Sequence, residues 1–344
     1  MIEAKIIPIT KIISAACRDF MAFRGAHSFE FKDGVNYIVG RNGEGKTSLV
    51  RLIIQALNPN ISYDNTWGNY HSHSELNESS IIELKFIADN KIHHLRRVLL
   101  DGSTSDLHLY IGEGENTQFL RDGQALNYLI KLKPISTINN SYQFRSQYRN
   151  FFHFSLAASP DAPFDEYHID DLNKILKQSN HDFTVSQNKN RELIVSFENG
   201  KVEPIGNLGR NSYNTIFTII LLLNIVNNIK EKNLSRVVVI DEFDNGIQRK
   251  GREAIESAIE LLSARSQFQF ILTAKFKRSK VNVILVNGPH IPNIYHVEDH
   301  TTIKNKKVFN KWFKQLKASG KWPIKKHIFK TTNIRNTSNY KSKW

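Results

Sequence analysis

The sequence has almost no cysteine and no long apolar run, and these two absences argue against a disulfide-linked protein and against a membrane-spanning one. Cys17 is the single cysteine in 344 residues, so an internal disulfide framework is excluded and a reducing, cytoplasmic location is expected. The longest apolar run, Ile216 to Val226, is interrupted at Thr218 and Asn224 and is too short to span a bilayer. The N-terminus lacks a basic segment followed by an apolar one, so we expect neither a secretion signal nor a membrane partner.

Acidic residues are absent from the C-terminal part of the chain. Residues 301–344 hold thirteen Lys or Arg and no Asp or Glu, whereas residues 1–300 hold 34 basic and 33 acidic side chains. The formal net charge of +14 therefore belongs almost entirely to this tail. We predict a near-neutral domain over residues 1–300 and a basic tail over residues 301–344. Such a tail is typical of a segment that binds an anionic partner, with nucleic acid as the first candidate, although a solvated tail is the plainer alternative.

The tail also contains aromatic side chains among its lysines. One set has helical spacing and could pack on the domain: Val308, Phe309, Trp312, Phe313 and Leu316. Trp322, Phe329 and Trp344 stand further along, among lysines, and suit single-stranded nucleic acid through stacking and phosphate contacts. An acidic partner protein is the alternative ligand.

A glycine-rich stretch near the N-terminus fits the pattern G-x-x-x-x-G-K-[ST] in full. A β-prone run from Val35 to Val39 precedes it, and a helical pattern from Thr47 to Leu57 follows it. Strand, glycine loop and helix form the context that this phosphate-binding pattern requires. The predicted nucleotide-binding residues are Gly40, Arg41, Asn42, Gly43, Glu44, Gly45, Lys46, Thr47 and Ser48.

The residue types in this loop account for the chemistry. Gly43 and Gly45 allow backbone amides to approach phosphate oxygens without a Cβ between them. Lys46 is predicted to contact the β- and γ-phosphates, and the Thr47 hydroxyl to ligate Mg²⁺. The N-terminus of the following helix adds a positive potential for the anion. The sequence therefore predicts ATP and Mg²⁺ as ligands.

A pair of carboxylates follows a second β-prone run. Four β-branched residues, Val237 to Ile240, predict a strand that is buried on both faces, as in a parallel sheet. Asp241 and Glu242 then lie at the carboxyl end of that strand, where ligands bind in open α/β folds. Asp241 is predicted to act on Mg²⁺, and Glu242 to polarise the attacking water as general base.

The order of these features resembles the ABC-type ATPase heads of the SMC, RecF and OLD-like family, including stand-alone ATPases of anti-phage defence systems. The resemblance covers about residues 10–300, and the run from Asp241 to Gly246 is similar to the acidic strand end and following loop of the OLD-like members. It implies an α/β P-loop NTPase fold in two lobes, here without coiled-coil arms. Lobe I would comprise about residues 1–145 and 232–300, and a helical lobe II about residues 146–231.

The resemblance also implies roles for residues outside the two motifs. Gly209 matches the essential glycine of the signature loop that binds the opposite subunit's γ-phosphate, although Asn207 stands where a serine is usual. Lys275 stands where the family has a histidine that contacts the γ-phosphate, and it is the candidate catalytic replacement as a cation, although a lysine is a point charge that cannot switch as imidazole does. Gln147 is the candidate glutamine for magnesium or water, with Gln143 as the alternative.

Four residues before the phosphate loop lie where such heads contact the nucleotide base or ribose. They are Arg18, Phe20, Phe23 and Arg24, and core packing is the alternative for the two phenylalanines.

The sequence thus predicts an ATP-hydrolysing head that dimerises, or forms a higher homo-oligomer, around ATP. It would regulate a nucleic-acid-directed process, with anti-phage defence through a separate effector protein, such as a nuclease, as the first candidate. A RecF-like ATPase of DNA repair or recombination is one alternative. A slow-hydrolysing, nucleotide-switched scaffold is the other, and Asn207 and Lys275 motivate it.

Overall fold

The computed structural model describes residues 7–59, 79–100, 103–133, 135–139, 151–155, 168–190, 192–232, 235–243, 247–274 and 282–286. All of them belong to one compact unit, Met1–His296. The second unit, Val297–Trp344, contains the predicted basic tail and lies outside the described residues. Within the described ranges, no helix is long and apolar enough to cross a membrane.

The strands and helices of the described part follow one another in this order. The strands are β1 (Ile9–Phe20), β2 (Phe23–Glu30), β3 (Val35–Val39), β4 (Ser79–Ala88), β5 (Lys91–Leu100), β6 (Ser103–Ile111), β7 (Gln118–Arg121), β8 (Ile135–Asn139), β9 (Phe151–Ser155), β10 (Phe183–Gln187), β11 (Leu193–Phe197), β12 (Val202–Pro204), β13 (Val237–Asp241), β14 (Gln269–Ala274) and β15 (Asn282–Leu285). The helices are α1 (Lys46–Leu57), α2 (Asp122–Ile130), α3 (Ile169–Gln178), α4 (Arg210–Lys232) and α5 (Arg249–Ser266).

A six-stranded parallel sheet forms the centre of the fold, in the order β15-β3-β14-β13-β8-β9. Every residue of β13 and β14 is buried, as the apolar run from Val237 to Ile240 predicts for a parallel sheet covered on both faces. Strand β14 lies between β3, which leads into the glycine loop, and β13, which ends at Asp241. Strand β9 is an edge strand of this sheet, although its residue range falls within the predicted lobe II.

A second six-stranded sheet is antiparallel, in the order β2-β1-β4-β5-β6-β7. The apolar-polar alternation from Ser80 to Leu100 predicts such a sheet, and the alternately buried side chains of β4 and β5 confirm it. Helix α1 contacts β1, β4 and β5 of this sheet and also β13 and β14 of the parallel sheet. Because it lies between the two sheets, α1 buries ten of its twelve residues and is apolar around most of its circumference.

Side chains join the start of β1 to the parallel sheet. The amide of Gln269, which is buried, accepts a hydrogen bond from Ile12 N (2.7 Å) and donates to Ile12 O (2.8 Å) and Lys32 O (3.0 Å). Ser235 Oγ accepts from Ile9 N at 2.9 Å and donates to Lys133 O at 2.8 Å. These bonds satisfy buried backbone groups where two sheets of different direction meet.

The remaining helices and a small sheet complete the described part. Helices α3, α4 and α5 contact one another, and α5 also contacts β3 and β14. The β-prone runs Phe183 to Val185 and Leu193 to Phe197 predict a hairpin, which β10 and β11 confirm, and a third strand, β12, extends it. The apolar pattern predicts a helix from about Tyr213 to Ile229, and α4 is longer at both ends. At the crossing of α4 and α5, a Cβ on Gly251 would collide with the Thr215 hydroxyl.

Candidate nucleotide-binding site

The glycine loop from Gly40 to Gly45 connects β3 to α1, as predicted. Gly43 and Gly45 have φ of +83° and +99°, values that L side chains rarely adopt. A Cβ on Gly45 would come within 2.9 Å of the Phe23 ring, and one on Gly40 would come within 2.8 Å of Val286 O. No side chain caps α1, for which Gly45 is the N-cap. A helix N-terminus of this kind is suited to bind an anion.

Lys46 and Glu44 close the loop on itself. Lys46, with 9% of its surface exposed, donates from Nζ to Gly40 O at 2.7 Å and to Arg41 O at 2.8 Å. Arg41 N donates to Glu44 Oε2 at 2.5 Å, so one loop amide already binds an anionic oxygen. Arg41, Asn42 and Gly43 are exposed, whereas Ser48 is buried. The loop therefore combines a buried lysine side chain, glycines with positive φ and a run of solvent-exposed residues.

Asp241 and Thr47 meet, although 194 positions separate them in the sequence. The Thr47 hydroxyl donates to Asp241 Oδ1 at 3.4 Å, and the Thr273 hydroxyl donates to the same oxygen at 2.6 Å. Burial raises the pKa of the Asp241 carboxyl above its ordinary value, while the bonds from Thr273 and Thr47 oppose that shift. A buried carboxylate beside a hydroxyl is the oxygen donor set that Mg²⁺ prefers, so these residues fit the predicted cation.

Glu242 follows Asp241 in a strained backbone conformation. Its φ is +56°, in the left-handed region that a residue with a Cβ adopts at a cost of about 1–3 kcal/mol. Its backbone N–H donates to Thr273 Oγ1 at 2.6 Å. The next residue, Phe243, is fully buried against the Tyr37 ring, with 6.0 Å between ring centroids. Asp241 is thus the last residue of β13, and Glu242 begins the turn that follows it.

The signature-like loop is exposed. Gly206 and Asn207 lie in a 3-10 turn, Ile205–Asn207, and Gly209 immediately precedes α4. Gly209 O accepts the hydrogen bond from Tyr213 N at 3.1 Å, which makes Gly209 the residue from which the first turn of α4 starts. A Cβ on Gly209 would meet nothing within 4 Å. Packing within the described part of the chain therefore does not require glycine here, and the Gly209 backbone is accessible to an external ligand.

The residues proposed to contact the base or ribose have different environments. Phe20 and Phe23 are core residues, 0% and 1% exposed, and belong to the hydrophobic cluster that also contains the apolar side chains of α1. The Arg18 side chain is 62% exposed and lies 3.8 Å from Asp19, and Arg24 is half-buried. The core alternative is therefore correct for both phenylalanines, and Phe23 supports the loop at Gly45 instead.

Several predicted residues lie outside the described part of the chain. They are Lys275, Gln147, its alternative Gln143, and the run Asp244, Asn245 and Gly246 after the carboxylates. Among the residues that are described, no group of histidine, cysteine and acidic side chains could hold a further metal ion.

Sequence reasoning missed Thr273, which contacts both carboxylate residues. The signal was available, since Thr273 is a hydroxyl-bearing residue that directly follows the buried apolar run Phe270 to Leu272, two positions before the residue expected for the family's histidine. A single threonine in such a strand is common, however, and only the neighbouring strand β13 gives its hydroxyl a function.

The glycine loop, the Thr47–Asp241 contact and the parallel sheet together define a P-loop nucleotide-binding protein. The sequence matches the profile of the AAA domain family over residues 16–339, and the chain belongs to that family. No curated protein is significantly similar in sequence.

Solved structures of SMC heads are similar to the chain in fold. An SMC head bound to the C-terminal winged-helix domain of ScpA aligns with a TM-score of 0.54 at 14% identity, over 77% of this chain and 90% of that one. An SMC head with an extended coiled coil, bound to the C-terminal domain of ScpA derived from Pyrococcus furiosus, aligns with a TM-score of 0.50 at 14% identity, over 79% and 90%. At these identities the likeness shows the fold alone, and it confirms the predicted SMC-type P-loop fold. The chain is therefore a member of the AAA domain family with a fold similar to that of SMC heads.

Proposed function

We propose that this protein binds ATP with Mg²⁺ at the loop Gly40–Ser48 and hydrolyses it with Glu242 as the general base. The observation that carries the proposal is the convergence of Thr47 and Asp241 at the N-terminus of α1, with Lys46 inside the loop. Thr47 and Asp241 would hold Mg²⁺, which supplies charge neutralisation at the phosphate oxygens when bound. Lys46 would exchange its bonds to two loop carbonyls for phosphate oxygens.

Glu242 is suited to orient water because it lies beside Asp241 without sharing its burial. Its side chain is partly exposed, whereas Asp241 is 3% exposed. A carboxylate that reaches solvent can accept a proton from water and release it again. Lys275 and Gln147 remain proposed as contacts to the γ-phosphate and to the metal or water, respectively, on the basis of the family resemblance.

We further propose that two copies enclose two ATP molecules, with Gly209 of each completing the other's site. The exposed, unobstructed Gly209 at the start of a 23-residue helix supports this arrangement, because its amides can approach an anion on another molecule. ATP binding would close the dimer and hydrolysis would open it. The basic tail supports nucleic acid as the ligand that this cycle regulates, and the resemblance suggests anti-phage defence with a separate effector.

A slow-hydrolysing scaffold is the second candidate. Asn207, which replaces the usual serine, is exposed in the 3-10 turn before Gly209, so the signature-like loop departs from its family at an accessible position. In that case ATP binding alone would hold a partner protein.

ATP turnover with and without DNA and RNA tests the proposal, in wild type, Glu242→Gln and Lys46→Ala. We expect turnover to be lost in both variants, while Glu242→Gln still binds ATP and shifts to a dimer in light-scattering measurements. Stimulation by nucleic acid would support the regulated process. A wild type that binds ATP but turns it over no faster than Glu242→Gln would favour the scaffold, and failure to bind ATP would contradict both.

A further inference from the structure

We propose that Thr273 is a positioning residue that aligns both carboxylate residues of the site, a role that rests on the proposed function. Thr273 lies on β14, whose residues pair in parallel with β13 up to Ile240 opposite Leu272. It is therefore next to the point where β13 ends and the carboxylates begin. No atom of its side chain needs to reach the nucleotide for this role.

The Thr273 hydroxyl contacts each carboxylate residue in a different way. It donates its one proton to Asp241 Oδ1 at 2.6 Å and accepts the backbone N–H of Glu242 at 2.6 Å. A hydroxyl has one donor and two acceptor positions, so both bonds form at the same time. Because the Glu242 N–H occupies an acceptor position of the Thr273 hydroxyl, the hydroxyl proton is directed towards Asp241. The hydrogen bond that it donates then holds the Asp241 carboxylate in one orientation.

The strain at Glu242 explains why an anchor is needed. With φ of +56°, its backbone lies outside the region that a glutamate prefers, and a surrounding structure must hold it there. The bond from Glu242 N to the Thr273 hydroxyl is a hold of this kind at the residue itself. If this hydrogen bond were lost, the Glu242 backbone could relax to a less strained φ, and the Glu242 side chain would change its orientation.

Packing alone does not explain a threonine at this position. Thr273 is 0% exposed, and the three residues before it on β14, Phe270 to Leu272, are equally buried and apolar. Valine has the same branched shape and favours a strand as strongly, so it would fill this space without a hydroxyl to satisfy. The hydroxyl is therefore explained by its two partners.

The test compares Thr273→Val, which removes the hydroxyl, with Thr273→Ser, which keeps it. We expect Thr273→Val to lower kcat about 10- to 100-fold at saturating ATP and Mg²⁺, since misplacing a reacting group by about 1 Å has an effect of that size. Thr273→Ser should restore kcat to within about threefold of wild type. Thr218→Val is the matched control, because Thr218 is also 0% exposed but donates to Asn214 O within α4.

A double-mutant comparison separates positioning from a general structural effect. The part of the loss that acts through Glu242 should be absent in a Glu242→Gln background, so Thr273→Val should lower the residual rate there by a smaller factor than in wild type. A factor that is undiminished in that background overturns the alignment of Glu242. The inference as a whole is overturned if Thr273→Val keeps kcat within about twofold of wild type, or if the serine and valine variants lose activity equally.

Two measurements keep the inference testable without turnover. In the nucleotide-free protein, amide hydrogen exchange at Glu242 should accelerate in Thr273→Val and return to the wild-type rate in Thr273→Ser. In ATP binding, the valine variant should need more Mg²⁺ for half-saturation. Unchanged exchange at Glu242 contradicts the inference even if the protein proves to be a scaffold. A wild type that binds no ATP contradicts the proposed function and leaves the exchange result to decide the role of Thr273.

Discussion

Gly43 and Gly45 show how two glycines of one loop can meet different requirements. Both have a positive φ, so both are strained by any Cβ. The space around them differs, because a Cβ on Gly43 would meet nothing within 4 Å, whereas one on Gly45 would press on the Phe23 ring and lie 3.2 Å from the Ala22 Cβ. Ala22 and Phe23, where β1 turns into β2, therefore lie close against the phosphate loop at Gly45 but not at Gly43.

This difference predicts the effects of two alanine substitutions. Gly43→Ala should lower the free energy of unfolding by about 1 kcal/mol, the cost of its backbone conformation. Gly45→Ala should lower it by about 2–4 kcal/mol and weaken ATP binding, because Phe23 must also move. Urea denaturation and a titration with a fluorescent ATP analogue measure the two effects. Equal losses in both variants would show that the contact with Phe23 has no energetic weight.

At the scale of elements, α1 is held at both ends by different parts of the fold. Its N-terminus carries Lys46 and Thr47, and its C-terminus meets Arg97 of β5. Arg97 is completely buried and donates from Nε to Ala56 O at 3.1 Å and from a terminal nitrogen to Asn58 O at 2.5 Å. Desolvation lowers the pKa of Arg97 to about 9. A cation at this end also complements the helix dipole, so the antiparallel sheet fixes the helix on which the phosphate loop depends.

We predict that Arg97→Met lowers the free energy of unfolding by about 1–3 kcal/mol, because the buried carbonyls of Ala56 and Asn58 lose their donors. Arg96→Met is the matched control on the same strand. Arg96 has a side chain that is 42% exposed and contacts Glu83 at 3.5 Å, so its loss should change stability by less than about 0.5 kcal/mol. Guanidinium denaturation of the two variants measures both changes in stability. Equal midpoints would contradict the role of Arg97 as hydrogen-bond donor to the carbonyls at the C-terminus of α1.

At the scale of the whole molecule, charge is divided between the head and its tail. Residues 1–300 are nearly neutral, and the thirteen cations of residues 301–344 account for most of the net charge of +14. Electrostatic attraction to nucleic acid is therefore expected from the tail before the head. Binding through lysines and arginines releases counterions from nucleic acid, which makes such affinity steeply dependent on salt.

Deletion of residues 304–344 tests whether the basic tail provides most of the attraction to nucleic acid. We expect the truncated protein to lose most of its affinity for DNA and RNA, and the affinity of the full chain to fall as the salt concentration rises. ATP binding should persist, because the phosphate loop and Asp241 both lie in the head. Fluorescence anisotropy with labelled oligonucleotides measures the affinity. Unchanged binding that is insensitive to salt would refute the role of the tail.

Stability should also depend on pH, through histidines that fold into the core uncharged. Burial lowers the pKa of His27, and it lowers that of His93, whose Nε2 lies 2.7 Å from the Tyr128 hydroxyl. A depressed pKa means that the unfolded chain binds more protons below about pH 6.5. The stability contribution of each histidine is therefore complete above that pH and declines as the pH falls towards the folded-state pKa.

We predict that the free energy of unfolding falls from pH 7 to pH 5, by up to about 1.4 kcal/mol per pH unit for each such histidine. His93→Gln should reduce this slope, whereas His94→Gln serves as the control on the same strand, since His94 is partly exposed and contacts Glu83. Thermal or urea unfolding across the pH range gives both slopes. A slope unchanged by His93→Gln would contradict the assignment.

The sequence by itself determined the local features of this protein. The glycine loop, the carboxylate pair and their flanking elements could be predicted, because spacing and apolar periodicity act within a few residues of the chain. The alternation of β4 and β5 and the apolar run of β13 were readable for the same reason. The class of fold followed from the order of these features along the chain.

Tertiary structure decided which distant side chains complete the site. Thr273 lies 32 positions from Asp241 and Thr47 lies 194 from it, while Gln269 bonds Ile12 across 257 positions. Hydrogen bonds of this kind depend on strand order and register, which one-dimensional spacing does not contain. The roles of Phe23 and Arg97 also depended on which element packs against α1. The sequence thus indicated the residue types that bind the nucleotide, and the packing of two sheets around one helix decided which side chains hold them in position.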